Sequence, residues 1–302
     1  MSIATINGII NKDDLGNTYI HEHLSIDLSS QKKDLDTRFD DIESLIKEMK
    51  LIKEKGIDTL VEVTNRGMGR NIEVMKKISN EAGIHVVAST GFYKEPFLPS
   101  YVYEMEKKEL SKLLIKDILE GIDGTNAKAH VIGEIGTSKD TMTPMEHKVF
   151  KVAARAHIET GRPFSTHTTL GTYALEQIKF MKENNIDLNK VVIGHLDLNC
   201  DLDYHLRIAD NGCYLAFDTI GKSNYQSDEN RVKHIKELIN RGHLNQIVLS
   251  QDITRKSHLA VNGGIGYSYL LDNFIPKLLK AGVSKEEIDT MLKQNPKNLL
   301  DI

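Results

Sequence analysis

The sequence has no tryptophan, and only two cysteines and six prolines in 302 residues. Two thiols cannot make a disulfide framework. Cys200 and Cys213 read as small core or near-core residues rather than as metal ligands. Aromatic residues are 6% of the chain, which offers no stacking platform for nucleic-acid bases. Excess positive charge is missing too: 39 Lys and Arg stand against 43 Asp and Glu, a formal net charge of −4. Nothing in that balance attracts a polyanion or an anionic membrane surface, so no nucleic acid and no membrane are expected as partners. No apolar run approaches the roughly 20 residues of a membrane span. The opening residues lack the basic start and apolar stretch of a secretory leader, and the expected address is cytoplasmic. There is no repeat, linker or low-complexity stretch.

What is present suits a globular protein with a sizeable core: 40% of residues are hydrophobic and 27% charged. Residues 3–20 alternate loosely around a turn at 13–16 and read as a short hairpin leading into a strand that ends on His21 and His23. Further strands are expected at 58–63, 84–90, 130–136, 163–167, 191–195, 214–218 and 246–252. Helical periodicity lies between them, over 41–55, 71–82, 103–121, 143–160, 171–185, 202–210 and 228–240, with two last helices after a long loop to about 267. Thr143-Pro144-Met145-Glu146 and Ser284-Lys285-Glu286-Glu287 carry the capping-box pattern of a helix start. The loop at 91–96 is read as exposing its aromatics. Strands alternating with helices pair in parallel. Eight such units in about 300 residues point to the α/β class and a closed (β/α)₈ TIM barrel rather than an open doubly wound sheet. One domain over 1–302 is the economical organisation.

In such a barrel the carboxyl ends of the strands form one mouth, where active sites sit. His21 and His23 stand two residues apart, so on a strand both imidazoles face one side. The mouth would also receive Glu134, His167, His195 and Asp252. Six ligands exceed what one tetrahedral zinc takes. They suit two divalent cations, one on His21, His23, Glu134 and Asp252, the other on His167, His195 and the second oxygen of Glu134. Imidazole and carboxylate donors fit Zn first, and Mn, Fe(II) or Co as well. The competing reading is a set of core histidines hydrogen-bonded to carboxylates. Glu22 alternates away from its neighbours and reads as a supporting or packing residue.

The His21-Glu22-His23 opening, Gly133-Glu134-Ile135-Gly136-Thr137-Ser138, Ser165-Thr166-His167-Thr168, Ile193-Gly194-His195-Leu196-Asp197, Phe217-Asp218-Thr219-Ile220-Gly221 and Ser250-Gln251-Asp252-Ile253-Thr254-Arg255 resemble the phosphotriesterase family of the amidohydrolase superfamily. The likeness is nearest to its branch of phosphotriesterase homology proteins and covers nearly the whole chain. It implies a barrel with a binuclear metal centre on the six positions named above, and a homodimer. One departure stands out. Well-known members bridge their metals with a carboxylated lysine, and here that strand carries Glu134.

The expected chemistry is metal-assisted hydrolysis, in which a metal-bridging hydroxide attacks an ester bond and Asp252 relays the proton. The family spans organophosphate triesters and lactones. Lys222, Arg255 and Tyr267, in the loops beside the seventh and eighth strands, are the candidate substrate contacts, and two cations there could hold an anionic group. A small-molecule lactone, such as a phosphorylated sugar lactone, is the leading substrate. The alternatives are a phosphoester or phosphotriester hydrolase, and a metal-bearing barrel with a non-catalytic binding role.

Overall fold

The computed structural model describes residues 2–302. Strands β1 (Ser2–Thr5) and β2 (Gly8–Asn11) form the antiparallel hairpin, with Ser2 opposite Asn11. Eight parallel strands follow: β3 (Thr18–Glu22), β4 (Thr59–Glu62), β5 (His85–Thr90), β6 (Val131–Thr137), β7 (Phe164–Thr168), β8 (Val191–Gly194), β9 (Tyr214–Phe217) and β10 (Ile247–Leu249). They pair in sequence order from β3 to β10. Helices lie between them, and the fold is the expected (β/α)₈ barrel, nearly closed.

Strands covered on both faces must be apolar throughout. Here β4, β8, β9 and β10 are buried at every position. Ile20, Val61, Val87, Val131, Val192 and Val248, drawn from six strands, share one cluster with Leu299 and Leu300 of the last helix. Residues from all round a ring can meet only inside it, so the last helix plugs the barrel at the end opposite the mouth. The outer helices turn one apolar stripe onto the strands. Helix Ile42–Glu54 buries Leu45, Ile46, Met49 and Ile52 in this way. Both capping boxes form, at Thr143 with Glu146 and at Ser284 with Glu287.

Several expectations are corrected. The helix read over 103–121 is a short turn, Ser100–Glu104, followed by Lys107–Leu119. The last two helices are interrupted by wide turns at Leu270–Phe274 and Thr290–Gln294. Phe92 and Tyr93 are buried, because their loop folds back over the barrel mouth. Cys213 is buried but Cys200 is exposed. Strand β10 stops at Leu249, three residues before Asp252. Glu134 sits in the middle of β6, where the pairing with β7 shifts register. Among the described residues no helix is long and apolar enough to cross a membrane.

Candidate metal centre

The ring is completed between its last and first strands by side chains. His21 N donates to Ser250 Oγ at 3.2 Å, and Ser250 Oγ donates to Glu22 Oε1 at 2.7 Å. The same carboxylate accepts from Gln251 N at 2.7 Å and Ile253 N at 3.1 Å. Glu22 thus grips the backbone on both sides of Asp252. The alternation that turns Glu22 away from His21 and His23 is what sends it into this seam.

Above the seam the candidate ligands converge. His23 Nε2 lies 3.3 Å from Asp252 Oδ1, and His21 Nε2 lies 3.8 Å from the same oxygen. His167 Nδ1 and His195 Nε2 are 3.1 and 3.5 Å from Glu134 Oε2. Glu134 also faces the first set, at 3.7 Å from each of the His21 and His23 Nε2 atoms. Two groups of donor atoms result, His21–His23–Asp252 and Glu134–His167–His195, each within 4.8 Å of one another. Glu134 is grouped with His167 and His195, and its carboxylate also faces His21 and His23.

Several candidate ligands are placed by the backbone. Gly133 has φ +139, and a Cβ there would meet Ser165 O at 2.2 Å. Only glycine allows β6 to approach β7 so closely beside Glu134. Asn65 Nδ2 holds the Glu134 carbonyl at 2.7 Å. His195 and Asp252 have left-handed backbones, with φ of 58° and 50°. Non-glycine residues hold such conformations only where the surroundings impose them, and such positions cluster at functional sites.

Three further residues shape the site and were not singled out from sequence. Asp218, the residue after β9, lies beneath His195 and His21. His195 Nδ1 is 2.9 Å from its Oδ1, and His21 Nδ1 is 3.2 Å from its Oδ2 without good alignment. It belongs to a third candidate group with His21 and His195. Thr64 Oγ1 meets His23 Nδ1 at 2.8 Å. The Tyr93 hydroxyl lies 3.1 Å from His167 Nδ1. Asp218 and Thr64 orient their rings so that the other nitrogen faces the cavity. Asp218 and Thr64 stand just past strand ends, as the candidate ligand His195 does, and that is the available signal.

The electrostatics are those of buried carboxylates short of cations. Burial alone would raise Glu134, but hydrogen bonds from His167 and His195 hold it well below the usual carboxylate range. Burial would raise Asp252 too, and the Lys222 ammonium, then His23, hold it well below. Burial works against charge on His195, yet Asp218 keeps its imidazole well above the ordinary value. Burial and the neighbouring His195 push His167 down to about 4. His21 Nε2 and His23 Nε2 are buried without a hydrogen-bond partner. Buried polar atoms ordinarily have one. Orphaned imidazole nitrogens aimed at ionised carboxylates fit a divalent cation held by nitrogen and oxygen.

The site floors a cavity of about 550 Å³. Lys222 and Arg255 both line it. Lys222 Nζ sits 2.5 Å from Asp252 Oδ2 and also donates to the Asp252 carbonyl. Arg255 is turned onto Asp34 and Asp36, at 2.7 and 3.3 Å. Tyr267 is brought elsewhere. It is fully buried behind β3, its hydroxyl donates to the His23 carbonyl, and it does not reach the cavity wall.

The profile of the phosphotriesterase family matches residues 1–300 of this chain. The chain belongs to the phosphotriesterase family. It is 47% identical to the phosphotriesterase homology protein of Escherichia coli K12 over 94% of its own length and 97% of that protein. The crystal structure of the E. coli protein, with phosphate in its active site, superposes with a TM-score of 0.94 over 96% of this chain and 100% of that one. An N-acetyltaurine hydrolase of Dictyostelium discoideum is 33% identical over 99% of this chain and 98% of its own. A lactonase of Listeria monocytogenes is 29% identical and superposes with a TM-score of 0.95 over 99% of both chains. This member of the phosphotriesterase family is a hydrolase, and its relatives act on small molecules.

Proposed function

We propose that the chain is a binuclear hydrolase of small-molecule esters, with a lactone as the leading substrate. The observation that carries this reading is the pair of donor sets, His21–His23–Asp252 and Glu134–His167–His195, with the Glu134 carboxylate facing both. His21, His23 and Asp252 would hold one divalent cation, His167 and His195 the other, and Glu134 would link them. Bound there, two such cations would lower the pKa of water towards neutrality and would draw electrons from an ester carbonyl. Donor chemistry places Zn first, with Mn, Fe(II) and Co fitting the same atoms.

The protein's own groups do the rest. Asp252 takes the proton from the attacking water and delivers it to the leaving alkoxide. Lys222, on Asp252 Oδ2, keeps that carboxylate ionised and aimed at the floor. Asp218 keeps His195 and His21 turned towards the cavity. The Tyr93 hydroxyl beside His167 closes one side and restricts water. Lys222 and Arg255 are retained as contacts for a polar substrate, although both are already opposed by carboxylates.

A phosphoester is the second reading, favoured by the phosphate in the active site of the E. coli relative. Metal content of the purified protein and of Glu134→Ala tests the centre, with a lactone and phosphoester panel run on the same samples. About two cations per chain, fewer in the variant, and turnover lost on chelation are expected. One cation or none, with the variant indistinguishable, overturns the binuclear reading.

A further inference from the structure

Lys222 and Arg255 each face a carboxylate, but two other cations on the cavity wall do not. Lys32 and Lys94 line the cavity. Among the described residues neither ammonium makes a hydrogen bond or an ion pair. Lys32 Nζ lies 5.9 Å from the Phe97 ring centroid, and Lys94 Nζ lies 5.9 Å from that of Tyr93. The two rings touch, with centroids 5.4 Å apart. Lys32, Phe97, Tyr93 and Lys94 therefore form a row, two apolar faces flanked by two free charges. The row begins at the floor, because the Tyr93 hydroxyl touches His167.

We propose that Lys32 and Lys94 recognise a small anionic group on the substrate, so that the enzyme selects esters bearing a sulfonate, phosphate or carboxylate remote from the scissile bond. This inference rests on the hydrolase reading above and names the end of the substrate which that reading leaves open. The placement of Lys94 is built in. A Cβ at Gly136 would come within 3.0 Å of the Lys94 Cβ and Cδ, so glycine on β6 lets the lysine stem lie flat against the strand. A larger residue there would push the ammonium away from the site. Desolvation, joined at Lys32 by the Arg255 charge, also shifts both lysines below their ordinary values, a cost that Asp252, Glu134 and Glu146 offset only in part. An anion at either end of the row relieves that cost, and desolvation there strengthens the attraction. The apolar Tyr93–Phe97 stretch suits the short hydrocarbon link between such a group and the ester.

The test uses metal-loaded enzyme and butane-1-sulfonate, since a sulfonate is a poor metal ligand and its binding reports the wall rather than the floor. Ligand-observed NMR gives Kd for the native protein, Lys32→Met, Lys94→Met and the double variant. We expect each substitution to weaken binding about fivefold, the effects to add, and added salt to weaken the native affinity as well. In parallel, 4-nitrophenyl hemisuccinate and 4-nitrophenyl butyrate form a charged and an uncharged ester of matched length. The kcat/KM preference for the charged ester should fall in the double variant, and through KM. No sulfonate binding to the native protein overturns the proposal, as does equal binding in the double variant. Loss of binding in Lys222→Met or Arg255→Ala instead assigns the anion to that pair. If neither ester is hydrolysed while sulfonate binding still depends on both lysines, the ester-hydrolase reading fails and the anion wall stands.

Discussion

Glu22→Gln is the substitution whose consequences the structure specifies most closely. Glu22 is fully buried, and its Oε1 accepts from both Ser250 Oγ and Gln251 N while Oε2 accepts from Ile253 N. A glutamine keeps the shape but has one acceptor. If its carbonyl keeps the two bonds at Oε1, its amide faces the Ile253 N–H, donor against donor. A hydrogen bond to a charged group contributes about 1.5–3 kcal/mol, and the orphaned N–H costs a similar amount. Relief of the like charge near Asp252 offsets part of this. We therefore expect a net loss of about 2 kcal/mol, seen as a fall of about 4 °C in Tm. Because the bonds at Gln251 and Ile253 bracket Asp252, cation content should fall with stability. Thermal unfolding and metal analysis on one preparation measure both. An unchanged Tm with full metal content would refute the role of Glu22 as the brace of the seam.

Asp252→Asn should lower kcat at least about a hundredfold at equal metal occupancy, because the amide cannot accept the proton; equal rates at full occupancy would remove Asp252 from proton transfer. His130, at the foot of the barrel, accepts from Ala4 N at 3.1 Å and donates to the Leu300 carbonyl at 2.7 Å. Burial, and then the nearby Arg162, push its pKa down to about 4. Its unfolded value lies near 6.5, so the unfolded chain binds the proton first and stability falls as pH drops from about 6.5 to about 4. This one group should make the protein about 2 kcal/mol less stable at pH 5 than at pH 7. Urea unfolding at both pH values tests this: His130→Asn should show a smaller pH difference than the native protein, and an equal one refutes the assignment. Arg231 is fully buried, binds Asp197 at 2.7 Å and Asp228 at 3.1 Å, and also holds the Gln226 carbonyl of the Lys222 loop. Arg231→Ala should cost about 3–5 kcal/mol by leaving Asp197 charged and unpaired; an unshifted urea midpoint would contradict this.

The sequence by itself determined the architecture, because periodicity is a local property. Valine-rich runs between amphipathic stretches dictate strands and helices, and eight strands alternating with helices in this length leave little besides a closed ring. It also determined the metal-ligand candidates, since polar residues at the mouth of a barrel stand out against apolar strands. Their cooperation was visible for the same reason: His21 and His23 share a face by spacing alone. Tertiary structure decided what those residues lean on. That Glu22 closes the ring onto Ser250 is a contact across more than two hundred residues, and no local pattern encodes it. Tyr267 looked like a loop residue beside the cavity, and packing against the first strand turned it inwards. Lys222 and Arg255 looked like free cations because sequence shows charge but not its partner; folding gave them Asp252, Asp34 and Asp36. Lys32 and Lys94 carry no local pattern that marks a site, and folding sets them on the cavity wall beside Phe97 and Tyr93. Side-chain type and period are written along the chain, but which charge meets which depends on distances that exist only once the ring is closed.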